Sequence, residues 1–163
     1  AGMGIPKRRN CASFRKDRTM SKGATYESQI LKLLLNAVDI SGVCASTGLA
    51  SLAVALHTAD PAGGTMATNE LAYAAYTRVL TSRTTSTLGW TVSGSSPATA
   101  SPLSAITFPQ QTTAGAQTVT HMSIGASSSG AAQIFYSGTV TPNITMGANV
   151  TPQITTGSSC TET

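Results

Sequence analysis

The sequence predicts a mainly β protein: an antiparallel β-sandwich of jelly-roll or Greek-key type, with one N-terminal helix and an extended basic N-terminal arm. Three observations carry that expectation. Beyond Gly48, short β-prone runs alternate with Gly, Pro, Ser and Asn punctuation. One stretch alone, between Thr25 and Val38, spaces its apolar residues as a helix does. Seven of the ten cations fall within the first 22 residues.

Those cations define the arm. Gly2, Gly4 and Pro6 precede Lys7, Arg8, Arg9, Arg15, Lys16, Arg18 and Lys22, with no apolar period and only Asp17 as a counter-charge. Residues 1–22 carry +6, and residues 23–163 carry −2 from three cations and five acids, giving the chain's net +4. The basic balance therefore belongs to the arm and not to the domain expected over residues 23–163. Met20-Ser-Lys-Gly reads like an ordinary translation start, which would make residues 1–19 an upstream extension.

The helix is expected from about Thr25 to Val38. Thr25 is placed to cap it, and Glu27 sits in the first turn, where the helix dipole favours an acid. Ile30, Leu31, Leu34, Leu35 and Val38 form the apolar stripe, widened by Leu33. Asp39 to Gly48 reads as a loop. Strands are expected at Leu52–His57, Tyr76–Ser82, Trp90–Val92, Ala105–Phe108, Thr118–Ile124, Gln133–Val140, Ile144–Met146 and Val150–Thr155. In the first of these, Leu52, Val54 and Leu56 share one face, and Ala53, Ala55 and His57 the other. Six prolines, from Pro61 to Pro152, fall at or beside the expected strand ends. Asn69 to Tyr73 reads as a single helical turn.

A length of 163 residues suits one domain with its own core. The charged fraction is 10%, far below the usual quarter or so, and no Asp, Glu, Lys or Arg occurs from Thr84 to Thr161. Such a surface suits burial against other protein, because few ions would have to be desolvated. Cys11, Cys44 and Cys160 are odd in number and far apart, without zinc spacing, and read as reduced thiols. No stretch reads as a signal peptide, and the apolar run Ile30–Leu35, broken by Lys32, is far short of the roughly 20 residues that a membrane span needs.

Chemistry finds little support. His57, Asp60 and Ser51 invite a hydrolase reading, but Gly125-Ala-Ser-Ser-Ser-Gly130 misses the nucleophile-elbow spacing. The expected state is a strand-end histidine followed by a Thr58-Ala-Asp-Pro turn, with the Asp60 carboxylate capping backbone N–H groups. His57 and His121 lack further ligands at metal spacing, so neither a metal nor another cofactor is expected. Gly63-Gly64 lacks the Lys-Ser/Thr of a phosphate loop. Trp90 and Tyr136 could form a lectin-like rim if exposed, although core packing is their usual fate.

Several segments, taken in order, resemble a family of small phage virion proteins commonly called tail fibre proteins. They are Ser21-Lys-Gly with Tyr26-Glu-Ser-Gln-Ile-Leu-Lys-Leu, Leu56-His-Thr-Ala-Asp-Pro61, Ala74-Ala-Tyr-Thr-Arg-Val79, Gly89-Trp-Thr-Val92, Ala105-Ile-Thr-Phe-Pro109, Thr118-Val-Thr-His121, Tyr136-Ser-Gly-Thr-Val-Thr-Pro-Asn-Ile144 and Val150-Thr-Pro. The resemblance covers roughly residues 21–163. The acidic Thr-Glu-Asp ending of relatives is Thr161-Glu-Thr here, and residues 1–20 have no counterpart.

The resemblance implies a virion structural protein and no enzyme. The chain shows no shaft repeat, heptad or collagen-like triplet. We therefore expect a capsid decoration (cement) protein that stabilises the head shell by bridging capsid subunits; the alternative is a tail fibre, tail or neck component. The expected partners are the major capsid protein and copies of the chain itself, as a trimer or dimer. Lys7, Arg8, Arg9, Arg15, Lys16, Arg18 and Lys22 are the candidate contacts to an acidic capsid neighbour. The same cations could neutralise phosphates. With Phe14 as the arm's lone aromatic, however, nucleic acid is not the expected partner, and neither is a membrane. The expected location is the outer face of the head, after synthesis in the bacterial host cytoplasm.

Overall fold

The computed structural model describes residues 23–40, 48–61 and 63–162, so the arm expected over residues 1–22 lies outside it. The elements are α1 (Ala24–Asn36), β1 (Ser51–His57), β2 (Val79–Ser82), β3 (Trp90–Ser93), β4 (Ala98–Pro102), β5 (Ile106–Thr107), β6 (Thr118–Gly125), β7 (Ile134–Thr145), β8 (Gln153–Ile154) and β9 (Cys160–Glu162). The fold is mainly β and antiparallel with one N-terminal helix, as the sequence predicts. The strands divide into three sheets, ordered β2-β1-β6-β7, β3-β4-β9 and β5-β8.

The helix forms around its apolar stripe, with Leu31 and Leu35 fully buried. Its ends differ from expectation. Gly23 is the N-cap, without a side-chain bond. Thr25 lies inside the first turn, where its carbonyl accepts from Ser28 Oγ at 2.9 Å. Glu27 does sit in that turn, buried, with Oε1 accepting from Ser96 Oγ at 3.3 Å. At the other end Ala37 turns left-handed (φ 53°) and Val38 N–H donates to the Lys32 carbonyl at 3.1 Å, stopping the helix before Val38. Arg83 finishes that terminus. Its Nε donates to the Leu34 carbonyl at 2.6 Å, Nη2 to the Leu33 carbonyl and Nη1 to the Leu49 carbonyl at 2.6 Å. A cation thus satisfies the carbonyls at the negative end of the helix dipole.

Strand β1 is the centre of the molecule and is buried on both faces. Leu52, Val54 and Leu56 meet Leu31, Leu35, Leu71, Trp90, Phe108, Val119 and Ile124 in the main core. On the other face Ala53 and Ala55 pack against Met66, with Ala132 and Ile134 partly buried around them. Small residues are required there because loops, not a second sheet, cover that face. Gly125 is part of the same fit: a Cβ on it would stand 2.2 Å from Met66 Sδ and 2.5 Å from the Gln133 carbonyl.

The structure corrects several boundaries. Gln133–Val140 and Ile144–Met146 are joined within one strand, β7, that runs through Pro142. The pairing with β6 jumps from His121↔Thr139 to Val119↔Ile144, so residues 140–143 bulge opposite Thr120. At such a bulge no ladder bond needs the missing proline N–H. Tyr76–Ser82 becomes strand only from Val79, and the Tyr76 ring stacks on Phe108 with centroids 6.2 Å apart. Ala105–Phe108 shrinks to β5, and Val150–Thr155 to β8 with an isolated Gln111↔Val150 bridge. Asn69–Tyr73 is not a helical turn. Glu70 bridges His57 and Leu71 N–H donates to the Leu56 carbonyl at 2.8 Å, because β1 draws this segment in as a partial neighbour. Strands β4 and β9 were not anticipated.

The loops over the small-residue face are held by one side chain. Arg78 is buried (7% exposed) and places all five of its donors. Nε and Nη2 each donate to a Glu70 carboxylate oxygen at 2.7 Å. The remaining Nη protons reach the carbonyls of Ser127 (2.9 Å) and Gly130 (2.8 Å) and Met66 Sδ (3.8 Å). Arg78→Met should therefore destabilise the domain by about 3–5 kcal/mol, since it strands Glu70 and two carbonyls. Chemical denaturation of that variant and of Arg78→Met/Glu70→Leu is the check. The double variant should recover part of the loss, and equal loss in both would refute the pairing as its source.

Candidate partner-binding surface

The sequence-predicted contact residues, Lys7, Arg8, Arg9, Arg15, Lys16, Arg18 and Lys22, all lie outside the described residues. The structure does place the groups weighed for chemistry. His57 is fully buried at the end of β1. Its Nδ1 lies 2.9 Å from the Thr68 carbonyl, which can only accept, so Nδ1 carries the proton. Nε2 then accepts from Ser123 Oγ at 2.8 Å. Burial is the main cause that pushes the His57 pKa below its usual 6.5. A serine–histidine pair is thus present, but both side chains are fully buried and no substrate reaches the hydroxyl.

Ser51 lies at the far end of β1 from His57. Asp60 sits in an exposed turn, where its main-chain carbonyl accepts from Asn69 Nδ2 at 3.0 Å. His121 is the cross-strand neighbour of His57, and its Nδ1 is 2.9 Å from Thr120 Oγ1. Both nitrogens of His57 are already engaged, so the two imidazoles cannot share an ion without breaking the core contacts. No cluster of three metal-ligating side chains occurs among the described residues. None of their helices is long and apolar enough to cross a membrane.

The feature that can receive a partner is a groove of about 650 Å³ running along β7. One wall is β7, from Tyr136 to Ile144; the other is the chain from Gln153 to Thr161, including β8 and the start of β9. Trp90, Ile124 and Ile154 form its buried floor. Trp90 is 2% exposed, with Nε1 donating to Thr81 Oγ1 at 3.3 Å, so it cannot serve as a lectin-like rim. Tyr136 is half-buried and donates its hydroxyl to Glu162 Oε2 at 2.8 Å, tying β7 to β9 across the groove. Burial, helped by the nearby Cys160, pushes the Tyr136 phenol up to about 12. Burial also pushes the Cys160 thiol up to about 11, so it stays a neutral, unreactive wall residue.

The groove is neutral, since none of the residues lining it carries a charge. Ser137, Thr139, Thr141, Ser158 and Thr161 supply hydroxyls, and Tyr136, Val140 and Ile144 remain only partly covered. Among the described residues no strand pairs with the outer side of β7. Such an edge offers main-chain N–H and C=O groups beside an apolar floor, the arrangement that accepts an extended peptide. The long uncharged stretch in the sequence pointed to contact surface but not to this place. The inward roles of Arg78, Arg83 and Glu162 carry no sequence signature.

Because burial disfavours the charged form of His57, the unfolded chain binds more protons than the folded one below pH 6.5. The stability from the neutral pair should be complete above that pH and fall as pH drops through it, by at most about 1.4 kcal/mol per pH unit. Thermal melts from about pH 8 down to pH 5 should show this slope, reduced in His57→Gln. An identical slope in the variant would assign it elsewhere.

A family model described as podophage GP4 fiber I protein gp80 matches residues 21–160. No curated protein matches the chain.

Proposed function

The chain belongs to the podophage GP4 fiber I protein gp80 family, and from that premise we propose that it is a building block of a fibre at the tail or neck of a phage particle. As a member of that family it is a structural, non-enzymatic component of a phage virion. The observation that carries the proposal is the extent of the match. It takes in α1, β1 to β8 and all of the groove's walls except Thr161, so the family likeness belongs to nearly the whole domain and not to a shared local motif. The work asked of such a chain is adhesion, in which binding to the assembled particle adds free energy to the assembled state by mass action.

A head-shell decoration role is the second reading, favoured by the small size of the domain and the absence of repeats in its sequence. In either place the arm cations Lys7, Arg8, Arg9, Arg15, Lys16, Arg18 and Lys22 would pair with an acidic neighbour, in the second reading the major capsid protein. Copies of the chain would associate symmetrically, as dimers or trimers.

Copy number separates the two readings. Gel densitometry of purified particles against the major capsid protein should give a handful of copies, with density for the chain at the tail or neck in an electron cryomicroscopy map. Hundreds of copies on the head would overturn the fibre assignment in favour of the shell. Deleting residues 1–19 should weaken attachment to the particle and leave the purified domain's melting unchanged; full occupancy by the truncated chain would remove the arm from the mechanism.

A further inference from the structure

We infer that β7 is the surface through which two copies of this chain join, strand to strand, as an antiparallel pair centred on Ser137 and Gly138. The proposed self-association gains a site by this, and the site does not depend on where in the particle the chain sits.

Among the described residues, strand β7 is the long open edge. It spans 12 residues, whereas β2 and β3 span four, β9 three, and β5 and β8 two each. Proteins that stay solitary commonly guard such an edge with a charge, often a lysine. None stands on β7. The groove beside it also leaves the core incompletely closed, because Tyr136, Val140 and Ile144 pack against the main cluster yet stay partly exposed.

Charge selects the occupant. An ionic partner would have to give up its hydration along β7 and would find no counter-ion on that strand. A second copy brings no such cost: its own β7 is neutral, and so is all of its chain from Thr84 to Thr161. Main-chain bonds would pair the two edges, and the apolar side chains of each copy would help cover the groove of the other.

The bulge limits how far the pairing runs. Tyr136 to Thr139 continue the β6 ladder without a shift, and residues 140–143 then leave it, with Pro142 lacking an N–H to donate. An antiparallel neighbour can therefore use the regular segment and no more. Pairing the same segment on both copies gives a two-fold, closed contact instead of an open-ended sheet. Gly138 sits at the centre of that segment, exposed, with no atom within 4 Å of where a Cβ would stand. The approaching backbone has room there.

The test uses the full chain in solution, by sedimentation velocity over a dilution series. The wild type should sediment as a dimer that dissociates on dilution. Thr139→Lys, on the exposed edge, should weaken association by at least about tenfold while keeping the wild-type circular dichroism and melting. Leu80→Lys, on the opposite edge strand β2, should leave the dimer intact. Hydrogen exchange on the wild type gives a reading that needs no variant, because amides of residues 136–139 should be better protected at high than at low concentration. A monomer at every concentration would overturn the inference, and so would wild-type association of Thr139→Lys, dispersal by Leu80→Lys, or concentration-independent exchange. Hundreds of copies on the head would overturn the fibre role and leave this dimer standing.

Discussion

The fold depends on keeping β1 dry on both faces with only one sheet partner layer available. Its large apolar side chains take the main core, but its second face presents Ala53 and Ala55, too small to build a core of their own, and the polar His57. Two loops, 63–78 and 126–133, have to lie flat on that face, and loops bring carbonyls that water would otherwise satisfy. Arg78 answers both needs. Its guanidinium satisfies two of those carbonyls, and Glu70 neutralises its charge through a two-point contact. The His57–Ser123 bond closes the remaining polar gap on the same face.

Arg83 plays the equivalent part for the helix, and together the two arginines explain the character of the surface. Residues 23–163 contain three cations, Lys32, Arg78 and Arg83. Two of them are buried and spent on main-chain carbonyls, so the domain is still less charged outside than its composition suggests. An exterior with so few charges weakens the long-range repulsion that normally keeps copies apart. It also removes the desolvation cost of bringing them together. The internal wiring of the fold and its readiness to associate are consequences of the same placement.

What was legible in the sequence was what large apolar side chains write at regular spacing. Helix α1 and strand β1 are legible because Leu31, Leu35, Leu52, Val54 and Leu56 follow their periods; β6 is legible as a β-prone run, but its faces are not, since a register shift brings both Val119 and Ile124 inside. Strand β4 was missed because its inward residues are Ala98 and Ala100, small enough to let α1 pack closely and too weak in β-propensity to announce a strand. Strand β9 follows a Thr/Gly/Ser turn and makes sense only beside β4. Pro142 split β7 in the reading of the sequence, since whether a proline ends a strand or rides on a bulge is decided by the partner strand. The groove was illegible for the same reason: its two walls lie about ten to twenty residues apart in the chain and come together only in the fold, where Tyr136 bonds Glu162.

The chain thus divides its contacts by physical kind. All but three cations lie in residues 1–22, so a contact made there is ionic and weakens as salt shortens the Debye length. The β7 edge is neutral, and its pairing would rest on main-chain bonds and apolar cover, which ordinary salt leaves almost untouched. A particle component built this way can be attached by one term and held to its own copies by the other. The two can then be tuned separately, because residues that strengthen attachment never have to enter the domain. That separation gives a physical reason for a domain that holds two of its three cations inside and leaves most of the chain's positive charge to the arm.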